Sequence, residues 1–207
     1  TPFLFHCLAP PAKRLGGGLG MPMAVLEADV LSVPGAAANG PDRCYHCKTA
    51  LFTLLKEAAL ADGYTLLIDG TNASDDAGDR PGMRALRELA VRSPLRECGI
   101  TKAEVRTRSR EAGLFTWDKP AYACLATRVP TGTAITREAL SAVEGAEKAL
   151  AALGYRDFRV RLFHGAARLE LTERDFARAA GAREAVKAAL SPWFETVLLD
   201  FAVRTGG

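Results

Sequence analysis

The sequence has no apolar run near the roughly eighteen residues that a membrane-spanning helix needs, and its opening TPFLFHCLAPPAKR carries no basic stretch of the secretory kind. A membrane partner is therefore not expected, and the chain reads as cytoplasmic. It also lacks a strong charge imbalance: 27 Lys and Arg against 24 Asp and Glu leave a net charge of +3 over 207 residues. Bulk charge of that size gives no reason to expect nucleic acid as a partner, so local arginine clusters matter more than the total. No internal repeat and no low-complexity tract occurs. Only three histidines are present, and there is neither an HxxxH nor a second CxxC, so a structural zinc would lack half of its ligands.

What is present is enough apolar material, 48% of residues, for a sizeable core. There are also five cysteines: Cys7, Cys44, Cys47, Cys98 and Cys124. An odd number in a chain too large to need disulfide staples points to metal or thiol chemistry. Cys44 and Cys47 form a CxxC in PDRCYHCKTALF, just before a helical stretch, where the helix dipole and unpaired N–H groups favour thiolate. A redox dithiol, half of a zinc site, two ligands of an iron-sulfur cluster and a buried pair without metal all fit that spacing. Cys124 decides among them. It lies in the long aperiodic stretch LFTWDKPAYACLATRVPTG, four residues before Arg128, where a guanidinium can stabilise a thiolate or hold an anion. With Cys44 and Cys47 it makes a three-cysteine set that leaves one iron open. Cys7 and Cys98 have no such company.

Along the chain, the Pro- and Gly-rich APPAKRLGGGLGMP shows no period. AVLEADVLSV reads as a strand. KTALFTLLKEAALADG reads as a helix ending at Gly63, and YTLLIDGTN as a buried parallel strand whose carboxyl end is a ligand position. MRALRELAV and TKAEVRTRSREAG read as helices, the second opened by a Thr101–Glu104 capping box. This alternation predicts a parallel sheet covered by helices up to about Gly113. After the long connection, a helix carries Ile135, Leu140, Val143, Ala146, Leu150 and Leu153 at helical spacing. FRVRLF, ARLELT, a helical stretch from Glu173 and TVLLDFA then form a second, smaller α/β unit. Arg159 and Arg161 flank Val160 and so share one strand face.

Taken in order, NGPDRCYHCKTALF, DGTN, DRPGMRALRELAVRSPL, TKAEVR, GLFTWDKPAYACLATRVPTG, VEGAEKALAALG, FRVRLFHGAARLEL and VLLDF resemble the LarE-type ATP-dependent sulfur transferases of the PP-loop ATP pyrophosphatase superfamily. The resemblance covers about residues 25 to 203. It implies an α/β chain in two parts: a truncated Rossmann-like domain over 1–120 and a smaller sulfur-transfer and substrate domain over 121–207. It also implies ATP with magnesium, a pyridinium dicarboxylate mononucleotide as substrate, and a homo-oligomer working in nickel-pincer cofactor synthesis.

Residue by residue, the resemblance gives Cys124 as the sulfur-bearing cysteine and Cys44, Cys47 and Cys124 as ligands of a four-iron four-sulfur cluster. Asp69, Gly70, Thr71 and Asn72 match the nucleotide-side strand end. Arg128, Arg159 and Arg161 match substrate-phosphate arginines, and Glu170 an active-site carboxylate. Trp117 and Lys119 belong to the motif, with packing the expected use of Trp117. The sequence departs from the family at its start, where no SGGxDS phosphate loop occurs. LGGGLG lacks the Ser and Asp and leads into no helix. The chain as it stands is accordingly expected not to form an acyl adenylate. Two rivals remain: a PP-loop enzyme that thiolates tRNA, and a non-catalytic iron-sulfur or zinc protein descended from the enzyme.

Overall fold

A computed structural model describes residues 1, 3, 9–75, 80–119 and 123–204. Cys7, and residues 76–79 and 120–122 of the two long loops, lie outside that set. The chain divides into two compact units: a first that runs to Lys119, and a second that takes Ala123 onward together with Phe3. The fold is mixed α/β, and among the described residues no helix is long and apolar enough to cross a membrane.

In the first unit, α1 (Ala9–Gly18) takes in the Pro- and Gly-rich stretch that sequence periodicity left without structure. Pro10 and Pro11 fall in its first turn, where a missing N–H costs nothing, and Gly20 at φ +63° lets the chain leave it. The segment predicted as a strand, residues 24–33, instead leads into a 3-10 turn at Val30–Ser32 and then α2 (Pro34–Ala37). Asp29 accepts from Leu31 N at 3.1 Å and so favours a turn over an extended chain. Next comes α3 (Arg43–Ala61), after which Gly63 stands at φ +82°, as expected.

The predicted parallel strand at YTLLIDGTN is reduced to one parallel bridge, Ile68 with Arg92, made by Asp69 N to Arg92 O (2.9 Å) and Arg92 N to Leu67 O (3.0 Å). An extended segment becomes a strand only when a neighbouring backbone takes up its polar groups, and no longer ladder forms among the described residues here. Tyr64, Leu66 and Ile68 stay exposed as a result. α4 (Pro81–Glu88), α5 (Pro94–Glu97) and α6 (Lys102–Glu111) follow. The Thr101–Glu104 capping box forms in both directions. α4 packs on α3, with Ala85 and Leu86 buried. α2 also reaches α3 closely: a Cβ on Gly35 would stand 2.5 Å from the His46 ring, so only glycine fits there.

The second unit follows the sequence reading closely. α7 (Arg137–Ala152), β1 (Phe158–Phe163), β2 (Ala166–Leu171), α8 (Glu173–Gly181), α9 (Arg183–Leu190) and β3 (Val197–Leu199) build a three-stranded sheet in the order β1-β2-β3. β1 and β2 are antiparallel, joined by His164 (φ +49°) and Gly165 (φ +81°), the left-handed pair a two-residue hairpin requires. β3 runs parallel to β2.

Alternation sorts the two faces. Val160, Ala167, Leu169 and Leu171 are buried, as are Leu140, Val143, Ala146 and Leu150 of α7 and Val186 and Leu190 of α9. α7 packs on β1 and α9, and each fully buried Leu or Val stabilises by about 1.5 to 3 kcal/mol relative to exposure. The opposite face carries Arg159 across from Glu170 and Arg161 across from Arg168.

Candidate functional site

The first unit contributes a thiol pair and a cleft. Asp42 starts α3, its carbonyl accepting from Tyr45 N (2.9 Å), and Cys44 and Cys47 therefore sit in the first turns, one helical turn apart. Cys44 is exposed and accepts from Arg43 Nη2 at 3.6 Å; Cys47 is half-buried. Arg43 is in turn held by the Oδ1 of the buried Asn39 at 2.6 Å. A cleft of about 350 Å³ opens beside Cys44, with Lys48, Thr71, Asp75 and Arg80 on its walls.

Asp69 ends the bridge segment and holds Thr71, which lines this cleft. It accepts from Thr71 N (3.2 Å), Thr71 Oγ1 (2.6 Å) and Ser93 Oγ (2.6 Å). Burial pushes its carboxyl up, but these bonds and the Lys48 ammonium outweigh burial and hold it below the usual carboxylate range. Asn72 and Asp75 close the next turn, Asn72 N donating to Asp75 Oδ2 at 2.9 Å. Asp69 to Asn72 thus run through two consecutive hydrogen-bonded turns at the end of a parallel bridge.

Gly16 to Gly18 lie at the carboxyl end of α1, where Gly16 O and Gly17 O accept from Met21 N and Gly20 N. That end of a helix presents carbonyls rather than the N–H groups a phosphate needs. Trp117 and Lys119 also belong to this unit. The Arg110 guanidinium stands over the Trp117 ring at 5.7 Å, and Lys119 O accepts from Arg106.

The second unit holds Cys124 and the arginines. Cys124 precedes a 3-10 turn, Leu125–Arg128, anchored by Leu125 N to Phe3 O (2.9 Å), while its Sγ donates to the same carbonyl at 3.3 Å. Leu125, Ala126 and Val129 are buried, so the turn is fixed by packing on the carboxyl side of the cysteine. Arg128, expected on a substrate phosphate, lies almost wholly buried. Its Nε and Nη2 reach both oxygens of Glu147 at 2.8 and 3.2 Å.

Arg161 donates to Glu170 and to the Thr127 carbonyl, which ties the β1 face to the cysteine turn. Glu170 is also reached by Arg168 Nη2 at 3.4 Å and by Arg204 Nη1 at 3.8 Å. Arg159 is buried, with Asp157 at 3.8 Å. Burial and then the nearby Arg128 and Arg204 charges push its guanidinium below the usual arginine range, while the Glu147 and Asp157 carboxylates act the other way.

Glu147, Asp157, Arg168, Asp200 and Arg204 join this network without having been singled out from the sequence. Glu147 carried a readable signal, since it interrupts the buried stripe of α7 between Val143 and Leu150. Asp200 lies in the VLLDF motif without a role read for it, and Arg204 carried no signal, because only the folded sheet brings it to β2.

No family model matches the chain. Over 162 residues it is 35% identical to the pyridinium-3,5-bisthiocarboxylic acid mononucleotide synthase of Lactiplantibacillus plantarum, a match over 78% of this chain and 59% of that protein. The similarity supports a relationship to this synthase. An uncharacterised protein of Synechocystis is 44% identical over 153 residues, covering 74% of this chain and 57% of its own length. One of Methanocaldococcus jannaschii is 30% identical over 148 residues, covering 72% and 58%. The chain thus spans less than three-fifths of the curated relatives it matches.

The expected three-cysteine set is divided between the units, Cys44 and Cys47 lying in the first and Cys124 in the second. Among the described residues no group of three or more His, Cys, Asp or Glu side chains is poised to hold a metal. The Cys44–Cys47 pair, partly exposed at a helix amino end, does suit two ligands of such a cluster.

Proposed function

We propose that this chain is the sulfur-transfer part of a LarE-type, PP-loop enzyme that converts carboxylates of a pyridinium dicarboxylate mononucleotide to thiocarboxylates. The observation that carries the reading is the β1–β2 face of the second unit. There Arg159, Arg161 and Glu170 lie beside the turn that bears Cys124, joined to it by Arg161 and the Thr127 carbonyl. The similarity to a synthase named for the bisthiocarboxylic product supports the same assignment.

A carboxylate is a poor acyl electrophile because its leaving group would be oxide. ATP with magnesium would activate it as an acyl adenylate with release of pyrophosphate, a step this chain is not expected to perform by itself because it carries no SGGxDS phosphate loop. The Cys124 thiolate then attacks the acyl carbon, and AMP departs with the C–O electron pair. Loss of the Cys124 Cα proton breaks the Cβ–S bond, releases the thiocarboxylate and leaves dehydroalanine. A four-iron four-sulfur cluster with Cys44, Cys47 and Cys124 as its protein ligands would supply exchangeable sulfide in place of the cysteine's own sulfur.

Arg159 and Arg161 hold the substrate phosphate. Arg128 contributes through the turn it anchors, since Glu147 takes up its Nε and Nη2. The Asp69 to Asn72 segment brings Thr71 to the wall of the nucleotide-side cleft, where Lys48 and Arg80 stand beside Asp75. Calorimetric titration with the mononucleotide, its dephosphorylated nucleoside and tRNA tests the substrate class. Binding is expected for the mononucleotide, at least about ten-fold weaker for the nucleoside, and absent for tRNA. Equal affinity for nucleotide and nucleoside, or preference for tRNA, overturns the reading.

A further inference from the structure

Glu147 is a carboxylate on the apolar stripe of α7, and its side chain is only 6% exposed. Such a group is tolerated in a core only when it is fully paired. Its partners are specific. Oε1 accepts from Arg128 Nε at 2.8 Å and from the backbone N of Val160 at 3.0 Å, and Oε2 accepts from Arg128 Nη2 at 3.2 Å.

Through Arg128 the carboxylate reaches the cysteine turn. Arg128 Nη1 donates to Thr127 Oγ1 at 3.0 Å, to Ala123 O at 3.3 Å and, longer, to Cys124 O at 3.5 Å, while Thr127 Oγ1 donates to Cys124 O at 2.7 Å. Through Val160 N it reaches β1 between Arg159 and Arg161. One buried carboxylate therefore joins the turn that carries the sulfur to the strand that carries the phosphate arginines.

We infer that Glu147 is a positioning residue for sulfur transfer: with Arg128 it sets the height and orientation of Cys124 over the β1–β2 face. It touches neither substrate nor sulfur. Its effect rests on geometry, because a planar carboxylate meeting a planar guanidinium through two parallel bonds leaves little rotational freedom. A misplacement of about 1 Å at the reacting atom can slow a reaction roughly a hundred-fold, so such a hinge has leverage on rate. The inference rests on the sulfur-transfer reading for its kinetic arm, and its second arm is independent of that reading.

The test uses Glu147→Gln, which keeps the shape and an acceptor oxygen but loses the charge. Because an unpaired buried Arg128 can prevent folding, the double variant Glu147→Gln/Arg128→Gln, which buries no net charge, is made alongside. In the first arm the mononucleotide is supplied as a preformed acyl adenylate, and affinity and single-turnover transfer are measured separately. Whichever variant folds is expected to bind nucleotide within about two-fold of the parent chain while transferring sulfur roughly ten- to a hundred-fold more slowly.

In the second arm, iodoacetamide labels Cys124 and Cys98 at one fixed pH. Cys124, which is half-buried against the Phe3 carbonyl, is expected to react several-fold faster in the variant, and exposed Cys98 to react unchanged. Transfer and Cys124 labelling both at parental rates in a folded variant overturn the inference. Affinity and rate falling by the same factor do so too, because that pattern marks a general loss of structure. Absence of transfer in the parent chain itself strikes the proposed function, and the labelling arm then decides the role of Glu147 alone.

Discussion

Replacing Arg161 with Ala separates two roles that the structure gives one side chain. The change deletes the bonds to Glu170 and to the Thr127 carbonyl. Glu170 is not orphaned, since Arg168 at 3.4 Å and Arg204 at 3.8 Å remain beside it. The side chain is 31% exposed, so solvent screens part of the ion pair. Two bonds, one of them charge-assisted and partly screened, together stabilise by about 1 to 2 kcal/mol. For a cooperative unit of this size, each kcal/mol corresponds to a Tm shift of about 4 to 8 °C, which places the expected drop at roughly 4 to 16 °C.

Binding should respond differently. A guanidinium on a phosphate contributes about 1.5 to 3 kcal/mol, so mononucleotide affinity should fall on the order of 10- to 150-fold, measured by titration calorimetry well below the Tm of the variant. Arg161→Lys keeps the charge and loses the fork, and should fall between the two. A variant whose Tm drops as expected while its affinity stays within two-fold of the parent would refute the phosphate assignment. Arg161 would then serve only to tie β1 to the cysteine turn.

Asp69→Asn tests the hydrogen-bonded turn of the first unit. The Asp69 carboxyl sits below its usual range, so its contribution to stability is present above the ordinary carboxylate pKa of about 4 and is lost as pH falls through the lowered value. Thermal unfolding should show the variant less stable near neutrality, with the gap closing in acid; a gap independent of pH contradicts this. Thr101→Ala removes the capping box at the start of α6 and should cost about 1 kcal/mol, read by denaturant titration or by faster amide exchange confined to that helix. After anaerobic reconstitution, Cys44→Ser, Cys47→Ser and Cys124→Ser should each bind far less iron than the parent, and Cys98→Ser the same amount. Equal iron in all four variants counts against a shared cluster.

The second unit was legible in the sequence because its signals are local. Alternation places Val160, Leu169 and Leu171 inside and Arg159 and Arg161 on the other face, and helical spacing gives the buried stripe of α7. The first unit was less legible. AVLEADVLSV and YTLLIDGTN have strand composition, yet strand formation depends on a partner backbone, and they yield a 3-10 turn and a single parallel bridge. Pro10 and Pro11 hid α1, since prolines read as breakers unless they fall in a first turn.

At the candidate site, residue type and spacing pointed to the cysteines and put Arg159 and Arg161 on one strand face, while the phosphate role of those arginines came only from the family resemblance. What sequence could not supply was the pairing. That Arg128 turns inward to Glu147, and that Glu170 gathers Arg161 and Arg204, depends on contacts between positions 9 to 34 residues apart in the chain.

The central claim is that sulfur passes to the substrate at Cys124. The direct measurement is thiocarboxylate formation, followed by mass spectrometry, when the preformed acyl adenylate of the pyridinium dicarboxylate mononucleotide is mixed with the parent chain, Cys124→Ser and Cys98→Ser, each with and without added iron and sulfide. The account predicts product from the parent and from Cys98→Ser, and none from Cys124→Ser under either condition. Without iron and sulfide, Cys124 should lose the elements of hydrogen sulfide in step with product. Thiocarboxylate formed equally well by Cys124→Ser would contradict the account.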